Sequence, residues 1–312
     1  MSTTTSQHSS PCPLCGDKQS TPVLNKYGYA IHRCVACSHV FVNPMPTDDQ
    51  LRAHYQNPAY FEGEQDQGYR DYDDMHRALK PHFDRRLKTI ASHVPAKGRI
   101  LDVGCADGYF LERARQAGWH VAGVELSTEM AARASARLGI QVAGAVDALD
   151  DARFDAITLW EVIEHVPRPI AFLSSLRERL RPGGVLMFST PNTGHWQAVR
   201  RHDAWGSYRP PSHVQYFNGA SARDLVQRAG FSTVTVGKTM PLPPMPTWLE
   251  RASRPLYEGL GNGQVSGNWS LALWTWRAIR LGAMGLQRIA YANDDVYATL
   301  EVIAMQARHV NA

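Results

Sequence analysis

Four of the five cysteines stand in two C-x-x-C pairs about 20 residues apart, Cys12 and Cys15 in CPLCG and Cys34 and Cys37 in CVACS. Each knuckle turns two sulfurs towards one point, and two knuckles complete the tetrahedral set of a structural Zn2+ site. Redox chemistry is the competing use, but thioredoxin-like C-x-x-C motifs come singly and open a helix. Two other stretches carry groups fit for proton transfer. EVIEH brings Glu161, Glu164 and His165 together, and PPSHVQYF carries His213 with Tyr216 and Phe217. Imidazoles titrate near neutral pH, so His165 and His213 stand as equal candidates for a general base. On a helix Glu161 and His165 share a face. Base or substrate positioning, divalent-metal ligation and helix-end capping are the three uses open to that trio.

LDVGCADGYF, residues 101–110, is a strand, a glycine turn and the start of a helix, the layout that offers backbone N–H groups to a ligand. The dinucleotide spacing G-x-G-x-x-G is missing, and no Gly-Lys-Ser/Thr follows for a triphosphate. Asp102 at the strand end and Asp107 in the turn would repel phosphate and welcome a cation. Glu125 ends the next strand, where a carboxylate accepts both hydroxyls of a ribose. A ligand with a ribose and a positive charge but no phosphate is expected, and S-adenosylmethionine meets those conditions.

The elements that must position these groups alternate from Arg99 onward. RILDVG, WHVAGVEL, IQVAGAV, FDAITLW, VLMFSTP and STVTVGK read as strands. YFLERARQAG, STEMAARASARLG, PIAFLSSLRERLRPGG and SARDLVQRAG read as helices. Such alternation predicts an α/β fold with a doubly wound, Rossmann-like parallel sheet. Three regions are expected: a polar lead and zinc ribbon over 1–46, a helical lid or linker over 47–95, and the α/β domain over 96–312. The last is interrupted by a helical, aromatic insertion over 239–293 before the final strand YATLEVIAMQA. The insertion holds Trp248, Trp269, Trp274 and Trp276. It reads as a buried or homodimer-forming helix, or as an aromatic lid with Trp248 over the substrate. GYRDYDDMH offers Tyr69, Tyr72 and His76 either to a lid or to packing.

The chain has 312 residues, is 44% hydrophobic and carries a net charge of +4, so it can bury a full core and gives no sign of obligate nucleic-acid binding. No run of about 18 uncharged apolar residues appears, so no membrane span is expected. The polar N-terminus lacks the apolar core of a secretory signal, and a cytoplasmic setting follows.

DVGCADG resembles the D-x-G-x-G-x-G motif of class I SAM-dependent methyltransferases, with Ala106 at the middle glycine. The order GVELS, GAVDAL, FDAITLWEVIEHVPRP, LRPGGVLMFSTPN and a helix ending in AGF is similar to that family from about Arg99 to Lys238. The resemblance implies methyl transfer to a small-molecule acceptor. It implies that Gly104 and Gly108 line the methionine part of the cofactor, Asp102 meets its amino group and Glu125, followed by Leu126, holds the ribose. Val146 and Asp147 would lie near the adenine, Trp160 would close over the cofactor, and Cys105 would be a buried filler. EVIEH resembles the Glu-x-x-Glu-His of ubiquinone-type O-methyltransferases, where the trio is associated with a divalent metal such as Mg2+. The cysteine module through GYRDY resembles that of sugar C-methyltransferases, which continue with a longer C-terminal domain where a short aromatic insertion is expected here. Methylation at oxygen is the leading expectation, with nitrogen, carbon or a non-catalytic cofactor-binding scaffold as alternatives.

Overall fold

The computed structural model describes residues 9–56, 72–94, 96–149, 152–202, 205–239, 282, 295 and 297–307. The cysteine module is built on three antiparallel strands, β1 (Ser20–Lys26), β2 (Tyr29–Cys34) and β3 (Val40–Val42). The first hairpin turns through Tyr27 and Gly28, both at positive φ (52° and 83°), the geometry whose twist matches paired strands. Helix α1 (Asp48–Gln56) opens on a reciprocal cap: Gln50 N donates to Thr47 Oγ1 at 3.2 Å and Thr47 N to Gln50 Oε1 at 2.8 Å. Helix α2 (Tyr72–His93) turns Phe83, Leu87 and Ile90 inwards at spacings of four and three.

The alternating part then runs β4 (Arg99–Val103), α3 (Tyr109–Gln116), β5 (His120–Val124), α4 (Thr128–Leu138), β6 (Phe154–Trp160), α5 (Pro169–Glu178) and β7 (Leu180–Pro191). It continues through α6 (Trp196–Arg200), β8 (Gln215–Tyr216), α7 (Gly219–Arg228), β9 (Thr233–Thr239) and β10 (Thr299–Met305). Six strands form one sheet in the order β5-β4-β6-β7-β10-β9, parallel except for β10. Alternate residues face opposite layers. Ile100, Ala156 and Met187 pack with α2, α3 and α4, while Leu101, Ile157 and Leu186 pack with α5 and α7. The fold is the α/β doubly wound architecture expected.

Four local readings need correction. IQVAGAV does not form a strand: a single parallel bridge, Ala143 to Val124, is all that pairs, and a short 3-10 turn over Val146–Ala148 follows. EVIEH is not an α-helix either. Glu161 takes φ +54°, in the left-handed region that costs a side-chain-bearing residue energy, and only Ile163–His165 makes a 3-10 turn. The stretch LRPGG belongs to β7, with Leu180 beside Phe154. Lastly, PPSHVQYF is not a free loop, because Gln215 and Tyr216 form β8, paired antiparallel with Phe41 and Val40 of β3. The small sheet therefore runs β1-β2-β3-β8, its last strand supplied by the α/β part.

Candidate functional site

The glycine turn sits at the carboxyl end of β4. Gly104, Ala106 and Gly108 all have positive φ (76°, 48° and 81°), which folds the chain back on itself between strand and helix. A Cβ on Gly108 would stand 3.1 Å from both Ala134 and Leu138, so glycine there lets α4 pack against the turn. Cys105 lies buried beneath it, its thiol pushed up by burial.

Two buried carboxyls bracket the turn. Asp102 is 1% exposed, and its Oδ1 accepts the Thr158 hydroxyl at 2.7 Å. Burial raises its pKa to about 8, against that hydrogen bond and with Glu125 adding to the rise. Glu125 is also raised by burial, opposed by N–H donors. Its Oε2 accepts Ala106 N and its Oε1 accepts Ser127 N, each at 2.9 Å, so it clamps the turn to the start of α4. Asp107 plays a different part from the one expected. Its Oδ2 lies 2.9 Å from Arg137 NH2 and 2.8 Å from His76 Nε2, so its charge is met inside the protein.

Around this centre, Leu126 stands 73% exposed beside Glu125, Val146 is half-buried against the core, and Asp147 is exposed. Trp160 ends β6 with its ring 5.1 Å from Phe110 and 6.2 Å from Phe83, and the Arg86 guanidinium lies 4.2 Å over it. It is thus a wall packed on α2. His76 comes to the turn as well, stacked 4.0 Å from Tyr109. Of Tyr72 only the backbone, at the first residue of α2, is described. Tyr69, Trp248 and, apart from Thr239 and Gly282, the expected dimer segment lie outside the described residues.

At the ends of β6 and β7 a second constellation forms. Glu164, His165 and His213 gather donor atoms within 4.8 Å of one another. The expected set of Glu161, Glu164 and His165 is therefore altered: the left-handed bend at Glu161 breaks the helical spacing, and His213 takes its place. Glu164 is 1% exposed, with Oε2 accepting the Thr190 hydroxyl at 2.9 Å and Oε1 buried without a hydrogen-bond partner among the described residues. Burial and the nearby Glu161 push its pKa well above the usual carboxylate range. Glu161 is itself raised by burial.

Both histidines donate from Nδ1 to a backbone carbonyl, His165 to Ser212 at 2.7 Å and His213 to Ser207 at 2.8 Å. Their rings meet edge to face at 4.8 Å. Burial lowers the His165 pKa to about 4, and burial together with the neighbouring His165 takes His213 well below its ordinary value. Tyr216 was expected on the substrate side. It is 3% exposed, packs 4.9 Å from Tyr208 and donates its hydroxyl to the His213 carbonyl at 2.7 Å.

The four cysteine sulfurs also lie within 4.8 Å of one another, with Cys12 and Cys37 at 3.5 Å and Cys15 and Cys34 at 3.4 Å. A tetrahedral thiolate site spaces its sulfurs about 3.8 Å apart, so the set fits a metal ion. Burial pushes the Cys12 thiol up to about 11, and a bound dication would reverse that rise. Sequence reasoning missed Arg86, Arg137 and Gln215, because their partners lie far away along the chain.

The methyltransferase domain family matches residues 73–236. Ubiquinone biosynthesis O-methyltransferase of Paraburkholderia phytofirmans is 37% identical over 117 residues, 34% of this chain and 50% of that protein. The enzyme of the same name from Xylella fastidiosa is 39% identical over 117 residues, 34% of this chain and 48% of its own. The chain thus spans about half the length of the curated relatives it matches. Among solved structures, phosphoethanolamine N-methyltransferase 2 of Haemonchus contortus, in complex with S-adenosyl-L-methionine, aligns with a TM-score of 0.51 over 86% of this chain and 62% of that one. At 18% identity that likeness is one of fold. With its glycine turn, its strand order and a family match covering more than half its length, the chain belongs to the methyltransferase domain family.

Proposed function

We propose that the protein transfers a methyl group from S-adenosylmethionine to the oxygen of a small-molecule acceptor. The observation that carries this reading is the pair of buried carboxyls, Asp102 and Glu125, on either side of the Gly104–Gly108 turn. Bound S-adenosylmethionine would supply an electrophilic methyl on a sulfonium. Asp102 would hold its ammonium and Glu125 its ribose, while Leu126, Val146 and Asp147 border the base and Trp160 closes the α2 side. His165 or His213 would accept the proton that the acceptor hydroxyl releases as oxygen bonds to the methyl carbon and the carbon–sulfur bond breaks. Their depressed basicity suits a hydroxyl that is already acidic, a phenol rather than an aliphatic alcohol. The likeness to ubiquinone biosynthesis O-methyltransferases supports oxygen and an acceptor of quinone-precursor type.

The cysteine set would hold one structural Zn2+, in keeping with a cytoplasmic setting where thiols stay reduced. A divalent ion is the second reading of Glu164, His165 and His213, favoured by their gathered donor atoms. Two imidazoles suit a first-row transition ion better than Mg2+. Counting metal per chain by elemental analysis separates one zinc from two ions. Among the described residues no helix is long and apolar enough to cross a membrane.

A thermal-shift panel tests the cofactor assignment. S-adenosylhomocysteine and S-adenosylmethionine should raise the melting temperature of the wild type, Asp102→Asn should blunt the rise, and NAD should give none. No shift with either sulfur nucleoside at saturation would sink the assignment.

A further inference from the structure

The cysteine knuckles and the acceptor-side histidines are joined through one buried side-chain pair. His39 lies two residues past Cys37, is 1% exposed, and has its carbonyl held by Cys34 N at 2.8 Å. Its ring stacks with Phe41 (6.1 Å, 4°) and packs 5.0 Å from Phe217. From that fixed position Nε2 donates to Oε1 of Gln215 at 2.8 Å, across 176 residues of chain. Gln215 is fully buried, and its amide nitrogen donates onward to the Pro167 carbonyl at 3.2 Å. The neighbouring Val214 N donates to the Glu164 carbonyl at 2.8 Å. One glutamine thus spans the knuckle loop and the segment after Glu164, and it sits two residues from His213. Ser212, whose carbonyl orients His165, is one residue further back.

We propose that His39 and Gln215 are a positioning pair, through which the metal-holding knuckle sets the placement of His213 and His165. The pair touches no reacting atom. It acts by fixing the register of β8 against β3, so that both imidazoles keep their orientation while the cofactor turn, on β4, is left alone. The inference rests on the reading of those histidines as acceptor-side groups, and it gives the cysteine module a task beyond stability.

The test uses the full chain loaded with zinc, comparing wild type with His39→Leu, His39→Gln and Gln215→Asn. The imidazole signals of His165 and His213 are followed by NMR. Zinc is measured by release to a chromogenic chelator, and S-adenosylhomocysteine affinity by calorimetry. His39→Leu should shift both imidazole signals, keep its zinc, and change nucleoside affinity by no more than about twofold, as expected of separate sites. His39→Gln, which keeps a donor for Gln215, should return most of the shift. Should His39→Leu fail to fold, Gln215→Asn breaks the same contact with little change of volume and should move the same signals. Unmoved signals in a folded, zinc-loaded variant would overturn the proposal. So would shifts that His39→Gln does not restore, or loss of zinc from His39→Leu, which would make His39 part of the knuckle itself. Failure of the wild type to bind S-adenosylhomocysteine would count against the methyltransferase reading instead, since the signal comparison needs no ligand.

Discussion

Asp102 shows how one side chain joins binding to pH. With a pKa of about 8 in the folded protein it is mostly protonated at neutral pH, because its burial penalises the charge. An ammonium arriving beside it favours the carboxylate, so binding must release a proton. Affinity for S-adenosylhomocysteine should therefore tighten from pH 6 to pH 8, by at most about tenfold per unit, and the slope should vanish in Asp102→Asn. Calorimetry in buffers of different ionisation enthalpy reads both the slope and the proton. A slope of the opposite sign would remove Asp102 from the ammonium. The same shift bears on stability: the folded pKa lies above the unfolded one, so the contribution is complete below about pH 4 and fades as pH rises towards 8. A cationic ligand offsets what is lost there.

Among elements, α2 depends on charge for its seat on the sheet. Arg85 grips Glu301 of β10 through two bonds of 2.9 and 2.6 Å, and Arg86 reaches the same carboxylate at 2.8 Å. Burial alone would raise the Glu301 pKa, but the two guanidiniums hold it below its ordinary value. Glu301→Gln leaves Arg86, 8% exposed, without its counter-charge, and should cost about 3 kcal/mol or more in urea unfolding. Because the folded pKa is depressed, this stabilisation is present at neutral pH and disappears as pH falls through the carboxylate range. The strands of the large sheet were legible because they are apolar runs bounded by turn residues and caps. Besides LRPGG, three stretches were not, for separate reasons. IQVAGAV has strand character, but only Ala143 finds a partner on β5. EVIEH has helical spacing, yet Glu161 bends left-handed at the end of β6. Gln215 and Tyr216 become a strand solely because β3, far away in sequence, lies beside them. That Asp102 and Glu125 flank the glycine turn was readable from spacing, whereas the Asp107–Arg137 pairing was not.

At the scale of the whole molecule, the cysteine module and the α/β part share one interior. Cys12, Leu14, Cys34 and Phe41 belong to the same apolar cluster as Phe188, Leu225 and Val302. Removing the zinc proposed for the knuckles should then lower the melting temperature of the entire chain by about 6 °C, taking the ion as bound at around a thousand times its Kd. Calorimetry should show one transition before and after chelation; two separated transitions would mean that the module melts alone. The shared sheet also has a consequence for biosynthesis. β3 leaves the ribosome about 170 residues ahead of the strand that covers its edge, roughly 10 to 35 s at ordinary elongation rates. Throughout that interval the nascent module exposes an unpaired strand edge, the kind of surface that recruits chaperones or neighbouring chains. A message truncated before Gln215 would release a fragment with that edge permanently open, and such fragments should be found in the insoluble fraction or on chaperones.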